Sequence, residues 1–278
     1  MGYNPTPRVA EILNWCLEKV ESVPYKVTLR WIFYRAVQEK GLTKKDYHKF
    51  KRWVTRARKN FWNGWRPDTL VDDTRKIHGA FAGFKNPQEW ILSFKDYRCH
   101  LDPWYYQRFL VMIWFEAEAM YSQFSYYTPT CVPLVPFKGD PSLDLKWKLA
   151  RMIEEATKKY NKTVVILYYG DYDPKGIQIP ISALKDIKEW CNVDFDFIRV
   201  GLLEEHVKKW NLPENPERPG EYQWEALSDE QAKYLIERGL RLCFDFDAYE
   251  DVKKMEEEAT NKWKKILENI QVDFGMII

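Results

Sequence analysis

The chain has no run approaching the ~18 uncharged apolar residues that a membrane-spanning helix needs. Its first 20 residues lack the basic, apolar and small-residue order of a signal peptide, so no membrane partner and an intracellular site, cytoplasm or nucleoid, are expected. Cysteine is sparse and odd in number. Cys16, Cys99, Cys131, Cys191 and Cys243 are scattered and form no C-x-x-C pair, which excludes a disulfide framework and a zinc knuckle and leaves free buried thiols as the expectation. The four histidines are isolated, as structural histidines are. No G-x-x-x-x-G-K-[ST] stretch occurs, so the chain carries no recognisable ATP-binding element of its own.

What is present is a globular composition. Hydrophobic residues make up 45% and charged residues 30% of 278, enough apolar mass to bury a core in one or two domains and too much for a disordered chain. The net charge of +2 hides an asymmetry: residues 1–100 hold 20 Lys+Arg against 10 Asp+Glu, and the remainder holds 23 against 31. A basic amino-terminal part on an acidic remainder points to a nucleic-acid-binding module joined to something else. The excess gathers in "TKKDYHKFKRWVTRARKN", where Phe50, Trp53, Val54 and Ala57 form an apolar stripe at helical spacing. Lys49, Lys51, Arg52, Arg56, Arg58 and Lys59 are left to dock on phosphates of double-stranded DNA. Two helical stretches precede it, and "NGWRPDTLVDD" after it reads as a turn between short extended pieces. Helices with a basic third member followed by a hairpin-like segment describe a winged helix.

In the middle helical stretch, "TLRWIFYRAVQEKG", Leu29, Ile32, Phe33, Ala36 and Val37 share one face. Tyr34 falls ~140° from Leu29, beyond the packed stripe and one turn after Arg30. A tyrosine so placed is either a boundary aromatic with its hydroxyl in water or a nucleophile whose phenolate a cation stabilises.

"VVILYYGDYDPKGIQI", residues 164–179, opens as a strand buried on both faces and ends in Asp171 and Asp173. Gly170, Pro174 and Gly176 stop the strand, and "ISALKDIKEWC" follows at helical spacing. The acids therefore sit at the carboxyl end of a strand, the edge where open α/β sheets hold their ligands. Two carboxylates there repel unless a cation neutralises them, and hard-oxygen donors in small number suit Mg²⁺. The plain alternative is that one aspartate caps the helix and the other is solvated. A second apolar run, Phe109 to Phe115, ends in Glu116, with Glu118 two residues on. Position alone does not choose between the two glutamates. Strand, short strand, helix, strand, helix and the strand "VDFDFIRVGLL" follow one another, the order of parallel β/α units. Downstream, Ser228 caps a helix, a second D-x-D at Asp245 and Asp247 reads as a surface loop, and "YEDVKKMEEEATNKWKKILENI" reads as a charged amphipathic helix packed on the sheet.

A strand ending in Glu followed by a strand ending in D-x-D resembles the Toprim domain of topoisomerases, primases and related nucleases. "GDYDPKGIQI" is similar to the D-x-D-P-x-G-x-x-I form of the topoisomerase VI A subunit and the related meiotic double-strand-break protein, and "TLRWIFY" resembles their tyrosine motif, with Tyr34 at the matching position. "LVDDTR" and "EEHVKKWNLPENP" are similar to Toprim proteins of this lineage, and the resemblance spans roughly residues 28 to 227. One departure is Ala117, where related sequences often carry Lys after the glutamate. The resemblance implies an α/β protein with a winged-helix domain over 1–100 and a Rossmann-like Toprim domain with a mainly parallel sheet over 101–278. It implies Tyr34 as nucleophile, Arg30 or Arg35 as transition-state cations, and Glu116, Asp171 and Asp173 as ligands of Mg²⁺, with Mn²⁺ able to substitute. It further implies a homodimer in which tyrosine and metal come from opposite protomers, and a separate ATPase subunit for strand passage. A hydrolytic Toprim nuclease and a non-catalytic DNA-binding protein are the competing readings.

Overall fold

The computed structural model describes residues 3–71, 85–86, 89–90 and 93–268. The chain packs into two compact units, residues 1–75 with 110–243 and residues 76–109 with 244–278, a division that differs from the expected boundary at residue 100.

In the first unit, helix α1 (Pro7–Glu21) starts with a proline in its first turn, where a missing N–H costs nothing. Helix α2 (Leu29–Lys40) is capped by the Thr28 side chain, which accepts from Trp31 N, and ends at Gly41 with φ 65°. Helix α3 is Tyr47–Lys59. Leu13, Cys16, Ile32, Phe33, Ala36, Phe50, Val54, Ala57 and Trp65 form their shared core. Phe50, Val54 and Ala57 are one turn apart on α3, as the stripe in the sequence requires. The expected hairpin does not form in the described residues. Trp62–Gly64 is a 3-10 turn, Trp65 buries its ring and donates Nε1–H to Leu13 O, and Val71 makes an isolated bridge with Thr28. The Arg58 guanidinium donates to the carbonyls of Pro67 and Leu70. Asp72 to Arg75 of the "LVDDTR" motif lie outside the described residues.

The four strands β1 (Leu110–Phe115), β2 (Leu134–Pro136), β3 (Val164–Tyr169) and β4 (Phe195–Gly201) form one all-parallel sheet in the order β2-β1-β3-β4. Every residue of β1 and β3 is buried, which explains their unbroken apolar sequences. Helix α4 (Tyr121–Tyr127) joins β1 to β2, α5 (Leu143–Tyr160) joins β2 to β3, and α6 (Pro174–Trp190) joins β3 to β4. Phe115 and Tyr169 are register partners and share a face; both meet Phe124 of α4. Tyr168 and Arg199 share the other face, where Arg199 bonds the carbonyl of Gly176 in α6. From β1 the chain leaves over one face toward β2, and from β3 it leaves over the other toward β4. Right-handed crossovers in opposite directions require this, and they make the β1/β3 boundary the switch point of the sheet. Helices α7 (Glu204–Trp210) and α8 (Asp229–Leu240) follow β4, the latter opened by a Ser228–Gln231 capping box.

In the second unit, α9 (Phe246–Glu268) packs with the segment 94–107. Its Glu256 and Thr260 accept backbone N–H bonds from Leu101 and Cys99, polar work that an amphipathic pattern does not reveal. The second D-x-D opens this helix: Asp245 is exposed and accepts from Ala248 N, and Asp247 lies in the first turn. Cys16 and Cys243 are buried, and burial pushes both thiols up to about 12; Cys99, Cys131 and Cys191 are only partly buried. Among the described residues no helix is long and apolar enough to cross a membrane.

Candidate functional site

The β1/β3 register that pairs Phe115 with Tyr169 sets Glu116 beside Gly170 and Asp171. Glu116 Oε2 accepts the backbone N–H of Asp171 at 3.0 Å. Two glycines make room for that carboxylate. A Cβ on Gly170 would stand 3.0 Å from Glu116 Oε2 and 2.7 Å from the Tyr168 hydroxyl, and one on Gly176 would stand 2.9 Å from Glu116 Oε2 and 2.3 Å from Asp171 O. The glycine of the D-x-D-P-x-G pattern is thus demanded by close approach rather than by its φ. Glu118, two residues on, pairs with Lys138 at 3.1 Å. The choice that position alone left open between the glutamates is therefore resolved spatially: Glu116 is the one that meets the Asp171 loop.

Asp173 caps α6, accepting from Gly176 N at 2.6 Å. Asp171 Oδ1 accepts from Trp224 N at 2.8 Å, and Tyr172 pairs antiparallel with Tyr222 alongside. That pairing carries in a fourth acid, Glu225, in the 3-10 turn Trp224–Ala226. Burial raises the pKa of Glu116, opposed by the Asp171 N–H bond and reinforced by the charges of Asp173 and Glu225. Burial, then Glu225 and Glu116, raise Asp171 well above the ordinary carboxylate range. Glu225 is likewise raised by burial, with Arg35 and Lys44 opposing. The cation facing this group is Arg199 of β4. Its guanidinium lies over the Tyr168 ring and spends its hydrogens on the carbonyls of Gly176 (2.6 Å), Asp171 (2.7 Å) and Leu202 (3.3 Å). It fixes the loop and offsets charge without bonding a carboxylate.

The donor set is all carboxylate oxygen, which fits a hard divalent ion such as Mg²⁺. Glu116 Oε1, Asp171 Oδ2 and Asp173 Oδ2 carry none of the bonds above. Among the described residues no three His, Cys, Asp or Glu side chains already converge on one point. Loading an ion at Glu116, Asp171 and Asp173 therefore requires the carboxylates to turn onto it.

Tyr34 lies half-buried on α2 and lines a cleft of about 70 Å³ with Gln38, Lys44, Asn215 and Gln223. Burial and then the Glu225 charge raise the pKa of its phenol; Arg30 lowers it and Asp171 raises it. The balance leaves the Tyr34 phenol above its ordinary range. Arg30 is exposed. Arg35 stacks on Trp31 and donates to Leu227 O at 2.8 Å, so it ties α2 to the segment that carries Glu225. On α3, Lys51, Arg52, Arg56 and Lys59 are exposed, and Lys49 pairs with Asp46 at 3.8 Å. Arg58 is turned inward onto the Pro67 and Leu70 carbonyls.

Sequence reasoning missed Arg199 and Glu225. Arg199 sits in a strand among apolar residues, where a lone arginine on a buried face is a usable signal. Glu225 lies in "QWEAL", which carries no signal at all. Comparison of the chain with protein-family models, with curated proteins and with solved structures finds no match.

Proposed function

We propose that this chain is a Mg²⁺-dependent DNA-cleaving transesterase of the topoisomerase VI A type, with a winged-helix-like amino-terminal part and a Toprim-like sheet. The observation that carries this reading is the meeting of Glu116 with the Asp171 loop at the sheet's switch point, in an acidic group that burial leaves short of positive charge. Supporting it, Tyr34 of the same chain lies within the field of Asp171 and Glu225.

In this reading the exposed face of α3 holds duplex DNA by its phosphates. The Tyr34 oxygen attacks a backbone phosphorus, the bond to the 3′ oxygen breaks, and the tyrosine becomes joined to the 5′ end. The phenol gives its proton to solvent and the 3′ oxygen takes one up. When bound by Glu116, Asp171 and Asp173, Mg²⁺ supplies charge neutralisation at the transferring phosphate and the leaving oxygen. Arg199 keeps the Asp171–Gly176 loop in place throughout. Active units would be homodimers that cut both strands, with a separate ATPase subunit where strand passage follows.

A second reading is a Toprim hydrolase in which water attacks; it needs no activated tyrosine, and burial raises the pKa of the Tyr34 phenol. Supercoiled plasmid with Mg²⁺ or Mn²⁺, stopped with denaturing detergent and run with and without protease, separates the two. Transesterification leaves protein on the cut ends and is lost in Tyr34→Phe. Protein-free cuts that survive in Tyr34→Phe establish the hydrolase, and binding without any cut under these conditions leaves the non-catalytic reading.

A further inference from the structure

Among the described residues the hydroxyl of Tyr168 has no hydrogen-bond partner, although the residue is wholly buried. A buried, unmatched hydroxyl costs free energy, and a native chain keeps one where something else completes it. Its position says what that is. Tyr168 is the penultimate residue of β3, on the face it shares with Arg199, whose guanidinium covers its ring at 5.4 Å. The point where a Gly170 Cβ would stand is 2.7 Å from this hydroxyl and 3.0 Å from Glu116 Oε2, so hydroxyl and carboxylate border one small space. That space exists because residue 170 is glycine. Phe137 and Phe197 pack against the ring, so the hydroxyl is held in place by its walls.

We infer that Tyr168 is a positioning residue of the metal centre: its hydroxyl completes its bonding through the Glu116 carboxylate and the water shell of a divalent cation held there. This rests on the metal reading given above. A hydroxyl both donates and accepts, so it can donate to a ligating carboxylate that has turned onto the ion and accept from an ion-bound water. Mg²⁺ keeps several waters, and outer-shell partners of this kind govern metal affinity about 10- to 100-fold.

The test is Mn²⁺ binding to the full chain, measured by calorimetry and by Mn²⁺ electron paramagnetic resonance, for wild type, Tyr168→Phe and Tyr169→Phe. Thermal melts in chelator are run alongside. Tyr169 is the control: its ring lies on the opposite face, with its hydroxyl toward the Leu235 and Ile236 carbonyls. The expected result is Mn²⁺ affinity about tenfold or more weaker in Tyr168→Phe and unchanged in Tyr169→Phe. In chelator, Tyr168→Phe melts at or above wild type, since an unmatched buried hydroxyl has been removed. A purely structural tyrosine would instead lower the metal-free melting point and leave affinity alone. Should Tyr168→Phe fail to fold, Tyr168→Met, which also lacks the hydroxyl and fills the same walls with a flexible apolar chain, is read by Mn²⁺ affinity alone. Wild type that binds Mn²⁺ with Tyr168→Phe within twofold of it overturns this inference and leaves the metal reading standing. Wild type that binds no Mn²⁺ overturns both.

Discussion

Asp171 occupies its place in the free chain against both burial and the charges of Glu225 and Glu116. A carboxyl whose native pKa lies above its unfolded value binds its proton longer in the folded state. Its stabilising contribution is full below the unfolded value, near 4, and is lost as pH rises through the native one. Glu116 and Glu225 shift the same way. In chelator the protein therefore loses stability as pH rises from ~4 toward neutrality. Asp171→Asn keeps an oxygen for the Trp224 N–H and removes the charge. It is expected to flatten that slope and to melt ~2–4 °C higher than wild type at pH 7, a gain on the order of 1 kcal/mol. Melts of both proteins between pH 4 and 8 check this, and an Asn variant that is less stable throughout refutes it. On the proposed metal and DNA-binding reading, the same variant is expected to abolish stabilisation by Mg²⁺ and to leave DNA binding intact.

At the scale of elements, α3 divides its basic residues between two tasks that its sequence presents as one. Arg52 and Arg56 project into solvent, and Arg58 closes the turn that follows by bonding two carbonyls. Arg52→Ala and Arg56→Ala are expected to weaken DNA binding without changing stability, each lowering the slope of log affinity on log salt by ~1. Arg58→Ala leaves carbonyls unmatched and is expected to cost ~1–3 kcal/mol in urea unfolding. Salt titrations and unfolding of the three variants read both effects; an Arg58 variant of unchanged stability defeats the assignment. This division also marks where legibility ends. The apolar strands, the Ser228 cap and an aspartate cap after β3, one of the two readings of the D-x-D, follow from residues adjacent in the chain and were readable there. The inward turn of Arg58 onto the Pro67 and Leu70 carbonyls was not, because those carbonyls lie nine and twelve residues further along the chain. Arg199 and Glu225 were not, because the register of β3 on β4 and the pairing of Tyr172 with Tyr222 bring them in from far along the chain.

For the whole molecule, the question is which chains build one site. The family resemblance implies that tyrosine and metal come from opposite protomers; within this chain Arg35 ties α2 to the segment bearing Glu225, whose charge adds to burial in raising the pKa of the Tyr34 phenol. A site built within one chain makes a definite statement about mixed dimers. Each Tyr34→Phe chain lacks the nucleophile and each Asp171→Asn chain lacks the ligand, so a dimer of the two holds no complete site. Co-expressed, differently tagged and purified through both tags, such dimers are expected to leave supercoiled plasmid uncut. If the sites were shared between protomers, one of the two would be wild type, and the mixed dimer would nick one strand and remain attached to it. Nicks carrying protein would therefore place Tyr34 opposite its partner's metal and would turn its proximity to Asp171 into a feature of the resting chain.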